Sequence, residues 1–171
     1  MNKTLIAYFS RSGENYVGNE VKYIEKGNNE VLAEKLKELM PDADVFKIDP
    51  LKPYSDNYYK CIEEAKEDLR ANARPQLTHN LDSVDKYDKI YLIYPIYWGT
   101  FPMHVFTFLE GYDFTGKTII PIVTHEGSGF GVSERDLRRL LPNSKITQGI
   151  AIYGSEVNSS GEYLKELLQS L

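Results

Sequence analysis

Apolar positions along this chain follow two alternating rhythms. Runs rich in β-branched and aromatic residues occur at 4–9, 44–48, 89–94, 118–124 and 147–153. Between them apolar residues recur every three or four positions: Val31, Leu32, Leu36, Leu39 and Met40; Tyr58, Ile62, Ala65 and Leu69; Val105, Phe106 and Leu109; Leu137, Leu140 and Leu141; Tyr163, Leu164, Leu167, Leu168 and Leu171. The second rhythm is that of amphipathic helices. In the first, Ile90-Tyr-Leu-Ile93 and Ile119-Ile-Pro-Ile-Val123 do not alternate with polar residues, as expected for strands covered by helices on both faces of a parallel sheet. Ser133 with Asp136, and Ser159 with Glu162, have the spacing of a capping box and predict two helix starts. Residues 49–88, broken at Pro50, Pro53 and Pro75, predict a loop, one helix and a second loop.

Five β-α units with right-handed crossovers predict a single α/β domain over 1–171 with a doubly wound, five-stranded parallel sheet. Ligands of such sheets bind beyond the strand C-termini, so the loops after the first, third and fourth strands are the places to look for chemistry. The composition is that of an ordinary folded protein, with 42% apolar residues, 26% charged residues and a formal charge of -5. It offers no basic groove for nucleic acid or anionic membrane. No apolar run approaches a signal or membrane segment, which predicts a cytoplasmic protein. Cys61 is the only cysteine, so an internal disulfide and paired-cysteine metal sites are excluded, and its helical setting predicts an inert, buried thiol.

After the first strand come Ser10, Arg11, Ser12, Gly13 and Asn15, short donors with free backbone amides that suit a phosphate monoester. After the third come Pro95, Ile96, Tyr97, Trp98 and Gly99, where rigid aromatic faces beside a glycine suit a flat aromatic ligand. After the fourth, His125, Glu126, Gly127, Ser128, Gly129 and Phe130 precede a helix, and their backbone can wrap a ring edge. No nucleophile-elbow pattern surrounds Ser128, which argues against acyl transfer. Gly111-Tyr-Asp-Phe-Thr-Gly-Lys-Thr118 matches a Walker A pattern, but it leads from a helix into a strand and so presents its amides the wrong way round. A receiver-type signalling domain would need an acidic cluster after the first strand, where Ser10 and Arg11 stand.

Taken together, the three loops and five β-α units resemble the flavodoxin-like family of FMN proteins over nearly the whole chain. That resemblance implies strand order 2-1-3-4-5 and bound FMN, with no catalytic side chain and no metal. It implies that Ser10, Ser12 and Asn15 hold the phosphate, that Trp98 and Gly99 flank the isoalloxazine, and that Glu126, Gly127, Ser128, Gly129 and Phe130 line its pyrimidine edge. In most flavodoxins the phosphate loop runs directly into the first helix. Here residues 16–26 intervene, and Gly27, Asn28 and Asn29 are expected to return to the same site, with the insertion capping the phosphate or folding outside it. Arg11 pairs with the phosphate or with Glu14. The implied role is electron carriage between redox partners; the alternative is an FMN-dependent NAD(P)H:quinone-type oxidoreductase, which would add a small-molecule acceptor such as a quinone.

Overall fold

A computed structural model describes residues 3–171. The main sheet contains β1 (Lys3–Tyr8), β4 (Asp44–Lys47), β5 (Tyr87–Pro95), β6 (Thr118–His125), β7 (Lys145–Ile146) and β8 (Ile150–Tyr153), all paired in parallel. Its order is β4-β1-β5-β6, with β7 and β8 successively along the outer edge of β6. Counting β7 and β8 as one interrupted strand, this is the expected 2-1-3-4-5 sheet. The interruption falls at Gly149, where an added Cβ would lie 1.8 Å from the Pro121 carbonyl oxygen.

The uniform runs of the central strands follow from burial on both faces. Leu5, Ala7 and Phe9 of the first strand segment, with Ile90, Leu92 and Tyr94, join a core with Phe101, Val105, Phe108 and Leu137. Their alternates Ile6, Tyr8, Tyr91 and Ile93 join a second core with Leu32, Leu36, Leu164 and Leu167. The first core is thus closed by α3 (Met103–Glu110) and α4 (Ser133–Leu140), and the second by α1 (Asn28–Leu39) and α5 (Gly161–Gln169). The segment before β5 holds α2 (Tyr58–Arg70) between two loops.

Neither expected capping box forms. Ser133 stands inside the first turn of α4, where its hydroxyl donates to the Phe130 carbonyl (2.6 Å) and meets the Tyr94 hydroxyl (2.8 Å), while Asp136 accepts from Thr100 (2.7 Å). Ser159 donates to the Glu156 carbonyl within a 3-10 turn, and α5 starts after Ser160. In both cases neighbouring carbonyls and hydroxyls outcompete the local cap.

The insertion after β1 is a β-hairpin of β2 (Gly13–Val17) and β3 (Glu20–Ile24). Gly18 and Asn19 take φ of 60° and 69°, the left-handed pair that a two-residue hairpin turn requires. At its base the Glu14 amide donates to the Asp56 carbonyl (2.9 Å), and the Glu14 carboxylate accepts from the Tyr58 amide (3.1 Å) at the start of α2. At its tip the Gly18 amide donates to the Glu126 carboxylate (3.2 Å). The hairpin therefore bridges from α2 to the loop after β6.

Candidate functional site

The order β4-β1-β5 makes the chain leave β1 and β5 toward opposite sides, and a crevice opens between the two departing loops. A cleft of about 390 Å³ lies there, and the hairpin and α2 supply part of its wall. Of the residues expected at a site, Arg11, Asn15, Asn28, Pro95, Ile96, Tyr97, Trp98, Glu126 and Ser128 line it.

One end is built where the β1 loop meets the start of α1. Gly27 precedes that helix and has no room for a side chain, since a Cβ would lie 2.1 Å from Ser10 Oγ and 2.8 Å from the Arg11 carbonyl oxygen. The two halves of the split loop are thus in contact. No side chain caps α1, so its first amides remain available. Ser10 Oγ is buried here without a hydrogen-bond partner. A buried hydroxyl beside unpaired helix amides is suited to an anion. Asn15 faces the cleft while its amide donates to the Arg11 and Gly13 carbonyls (3.1 and 3.2 Å). Asn28 reaches toward Gly154, whose missing Cβ would lie 2.7 Å from Asn28 Nδ2 and 2.5 Å from Glu126 Oε1.

The other end is aromatic. Trp98 takes φ 55° and Gly99 φ 88°, which turn the chain sharply past β5 and leave the indole 46% exposed. Its Nε1 donates to the Ile62 carbonyl of α2 (2.7 Å), and Lys66 Nζ lies 5.1 Å from the ring centroid. The indole is therefore fixed against α2. Tyr97 packs edge-on to Phe9 and Tyr54, at centroid distances of 6.1 and 5.9 Å. Burial pushes the Tyr97 and Tyr54 hydroxyls well above the usual tyrosine value, and burial likewise raises the Cys61 thiol. All three stay protonated and neutral, as expected for Cys61.

Arg11 runs between these ends. Its Nε and Nη2 donate to the Ser55 carbonyl (3.1 and 2.6 Å), and Nη1 donates to the Glu14 carbonyl. The contact with Glu14 is thus to its backbone, while the Glu14 carboxylate serves the Tyr58 amide.

The remaining expected residues do not line the cleft. Ser10 is buried against Gly27, and Ser12 is exposed at the loop surface. Asn29 is buried, and its amide donates to the Phe9 carbonyl (3.0 Å) while its oxygen accepts from Thr124 (2.9 Å). Gly99 carries the close approach of the two loops: the Val132 amide donates to its carbonyl (2.7 Å), and a Cβ on Gly131 would strike that oxygen at 2.1 Å. Gly127 and Gly129 donate their amides to His125 Nδ1 (2.9 and 3.1 Å), and Phe130 packs on the core beneath.

Residues not foreseen in the wall are Tyr16, Tyr58, Cys61, Ile62 and Gly154, while Thr124 and His125 enter it from the end of β6. Three of these, Tyr58, Cys61 and Ile62, lie three and four positions apart on α2, a spacing that marks one helix face. Which side of the sheet that face meets is a tertiary fact. His125 organises the glycine loop through its two accepted hydrogen bonds and lies 4.4 Å from the Tyr153 ring.

A family model described as Flavodoxin matches residues 3–169. Among solved structures, a protein described as a putative flavoprotein from Bacteroides uniformis is 27% identical and superposes with a TM-score of 0.76, covering 96% of this chain and 98% of that one. Another so described, from Bacteroides eggerthii, is 25% identical with a TM-score of 0.68, covering 96% and 99%. A flavoprotein from Lactobacillus acidophilus in complex with FMN shares the fold at 19% identity and a TM-score of 0.64, covering 93% and 98%. None of the curated proteins matches the chain.

Proposed function

Because the chain belongs to the flavodoxin family, we propose that its cleft binds FMN and that the protein carries electrons between redox partners. The observation that carries this reading is the two-ended cleft, with Asn15 and Asn28 in its wall beside the buried, unpartnered Ser10 hydroxyl and the uncapped start of α1 at one end, and the Tyr97-Trp98 pair at the other.

These residues fit the group. Ser10, Asn15, Asn28 and the first amides of α1 would hold the phosphate, because a dianion is favoured where helix N–H groups and their dipole converge. Gly27 lets the β1 loop and the start of α1 come together, since a Cβ there would strike Ser10 Oγ. Tyr97 and Trp98 supply flat apolar surface for the isoalloxazine, and the hydrogen bond from Trp98 to α2 holds the indole in place before any ligand arrives. Bound FMN supplies the electron chemistry; the protein orients it, limits water access and sets the surrounding charge. No proton transfer by a side chain is required.

The test is a fluorescence titration of the full chain with FMN. Nanomolar to micromolar uptake is expected, and Trp98→Ala should weaken it by tenfold or more, about 1.4 kcal/mol of lost stacking. A protein that takes up no FMN would remove this reading. Turnover with NAD(P)H and a quinone should be close to the rate of free FMN; efficient turnover would favour an oxidoreductase over a carrier.

A further inference from the structure

Arg11 is the one cationic side chain, arginine or lysine, among the residues lining the cleft, and it is bonded only to neutral groups. The other charged residue in the wall, Glu126, accepts from the hairpin tip. Three of the five guanidinium N–H groups are spent on the Ser55 and Glu14 carbonyls, and no ion pair among the described residues includes Arg11. Three carboxylates of the surrounding segments are placed elsewhere: Glu14 accepts from the Tyr58 amide, Glu64 accepts from the Ser55 amide (2.8 Å), and that of Asp56 lies against Gly13. Three hydrogen bonds to main-chain oxygens hold the cation rigidly, so it cannot swing away as a surface arginine would.

Its direction matters as much as its charge. The Arg11 backbone meets Gly27 at the α1 end of the cleft, but the side chain turns away from that end toward Ser55 and α2. There its positive charge acts on the Tyr58 and Tyr97 hydroxyls and the Cys61 thiol, opposing part of the upward push of burial on each. The Ser55 carbonyl that holds the guanidinium follows directly on Tyr54, whose ring packs 5.9 Å from that of Tyr97, so the guanidinium belongs to the aromatic end.

We propose that Arg11 is a potential-setting residue, a fixed guanidinium at the Tyr97 end of the cleft that favours the negatively charged, two-electron-reduced flavin over the neutral oxidised ring. This rests on the FMN reading above. Two electrons from a redox partner and one proton from solvent leave one negative charge on the ring. Arg11 offsets that charge and exchanges no proton itself, since a guanidinium stays protonated throughout. In an apolar cleft without it, the same charge would be disfavoured by its loss of hydration.

The experiment compares Arg11→Gln and Arg11→Lys with the unaltered full chain, measuring affinities for oxidised and dithionite-reduced FMN and riboflavin and the two-electron midpoint potential. Arg11→Gln is expected to reduce the preference for reduced over oxidised flavin about tenfold, equivalent to a midpoint about 30 mV lower. Arg11→Lys, which keeps the charge, should stay within about threefold of the parent. Riboflavin, which lacks the phosphate, should show the same loss as FMN. An equal loss of oxidised and reduced FMN affinity with riboflavin unaffected would make Arg11 a phosphate ligand and overturn the proposal, as would an unchanged midpoint. If Arg11→Gln does not fold, the unaltered protein decides. The bend in its plot of midpoint against pH, where the reduced ring gains a second proton, should lie below that of free FMN; a bend at or above it overturns the proposal. Absence of any flavin uptake by the unaltered chain overturns the FMN reading itself, a result separate from all of these.

Discussion

Asn29 joins three pieces of backbone that no single element could hold together. From the first turn of α1 its amide group bonds the end of β1 through the Phe9 carbonyl and the end of β6 through the Thr124 hydroxyl, with water excluded. Replacing it with leucine would leave both partners buried and unpaired. A loss of about 2–4 kcal/mol in urea unfolding is expected, since each unmet buried partner costs roughly 1–3 kcal/mol. A loss below about 0.5 kcal/mol, within the range of ordinary surface substitutions, would show that the brace is dispensable. In sequence, an asparagine at the start of a helix after a glycine reads the same whether it faces a ligand or a strand end. Asn28 and Asn29 were expected to share one role, yet the helical rotation of about 100° between neighbours sends one to the cleft wall and the other into the core. Ser10 is the opposite case: a short hydroxyl in a strand-end loop is expected to serve an anion, and the structure leaves it buried without a partner.

At the level of elements, the sheet and its helices were legible because burial on two faces leaves a strong signature, uniform apolar runs separated by three- and four-residue spacings. The hairpin was less so. Its strands pack little apolar surface, with only Gly13 and Val17 buried among the ten residues of β2 and β3, and a weakly buried strand has a weak pattern. Its one clear mark is Gly18-Asn19 between β-prone residues, which read in isolation is an ordinary turn. The structure also indicates what it does: from its anchors on α2 and Glu126 it forms part of the cleft wall through Asn15 and Tyr16. Replacing residues 16–22 with a Gly-Gly link should leave thermal unfolding within a few degrees, because little core is removed. The same change should speed FMN release about tenfold in stopped-flow, as expected when a wall is lost from a preformed site. Unchanged release would mean that the hairpin lies beside the ligand's route and does not restrict it.

Across the whole molecule, the response to acid is concentrated in the core beneath the cleft. His104 of α3 is fully buried, with its ring 4.2 Å from Phe9 and 5.8 Å from Tyr54, and burial holds its pKa down to about 3, opposed only by the nearby Ile48 backbone. An unfolded histidine titrates near 6.5. Between those values the unfolded chain binds a proton that the folded chain refuses, so stability is complete above about pH 6.5 and falls as the pH drops. The slope contributed by this residue approaches 1.4 kcal/mol per pH unit. Asp44 acts in a lower window: hydrogen bonds from Lys3 and Tyr87 hold its carboxyl at about 2, and what it adds is present above the ordinary carboxylate value and lost only below it. The two windows separate the contributions. Urea midpoints followed from pH 7 to 4 should fall steeply in the parent and much less in His104→Leu, while both should lose stability together below about pH 3. Parallel curves over the upper window would show that the proton is taken up elsewhere. Because Phe9 directly follows β1 and the same ring packs edge-on to Tyr97, protonation of His104 would also disturb the aromatic end of the cleft. Flavin release on acidification should therefore begin in the upper window, and His104→Leu should delay it.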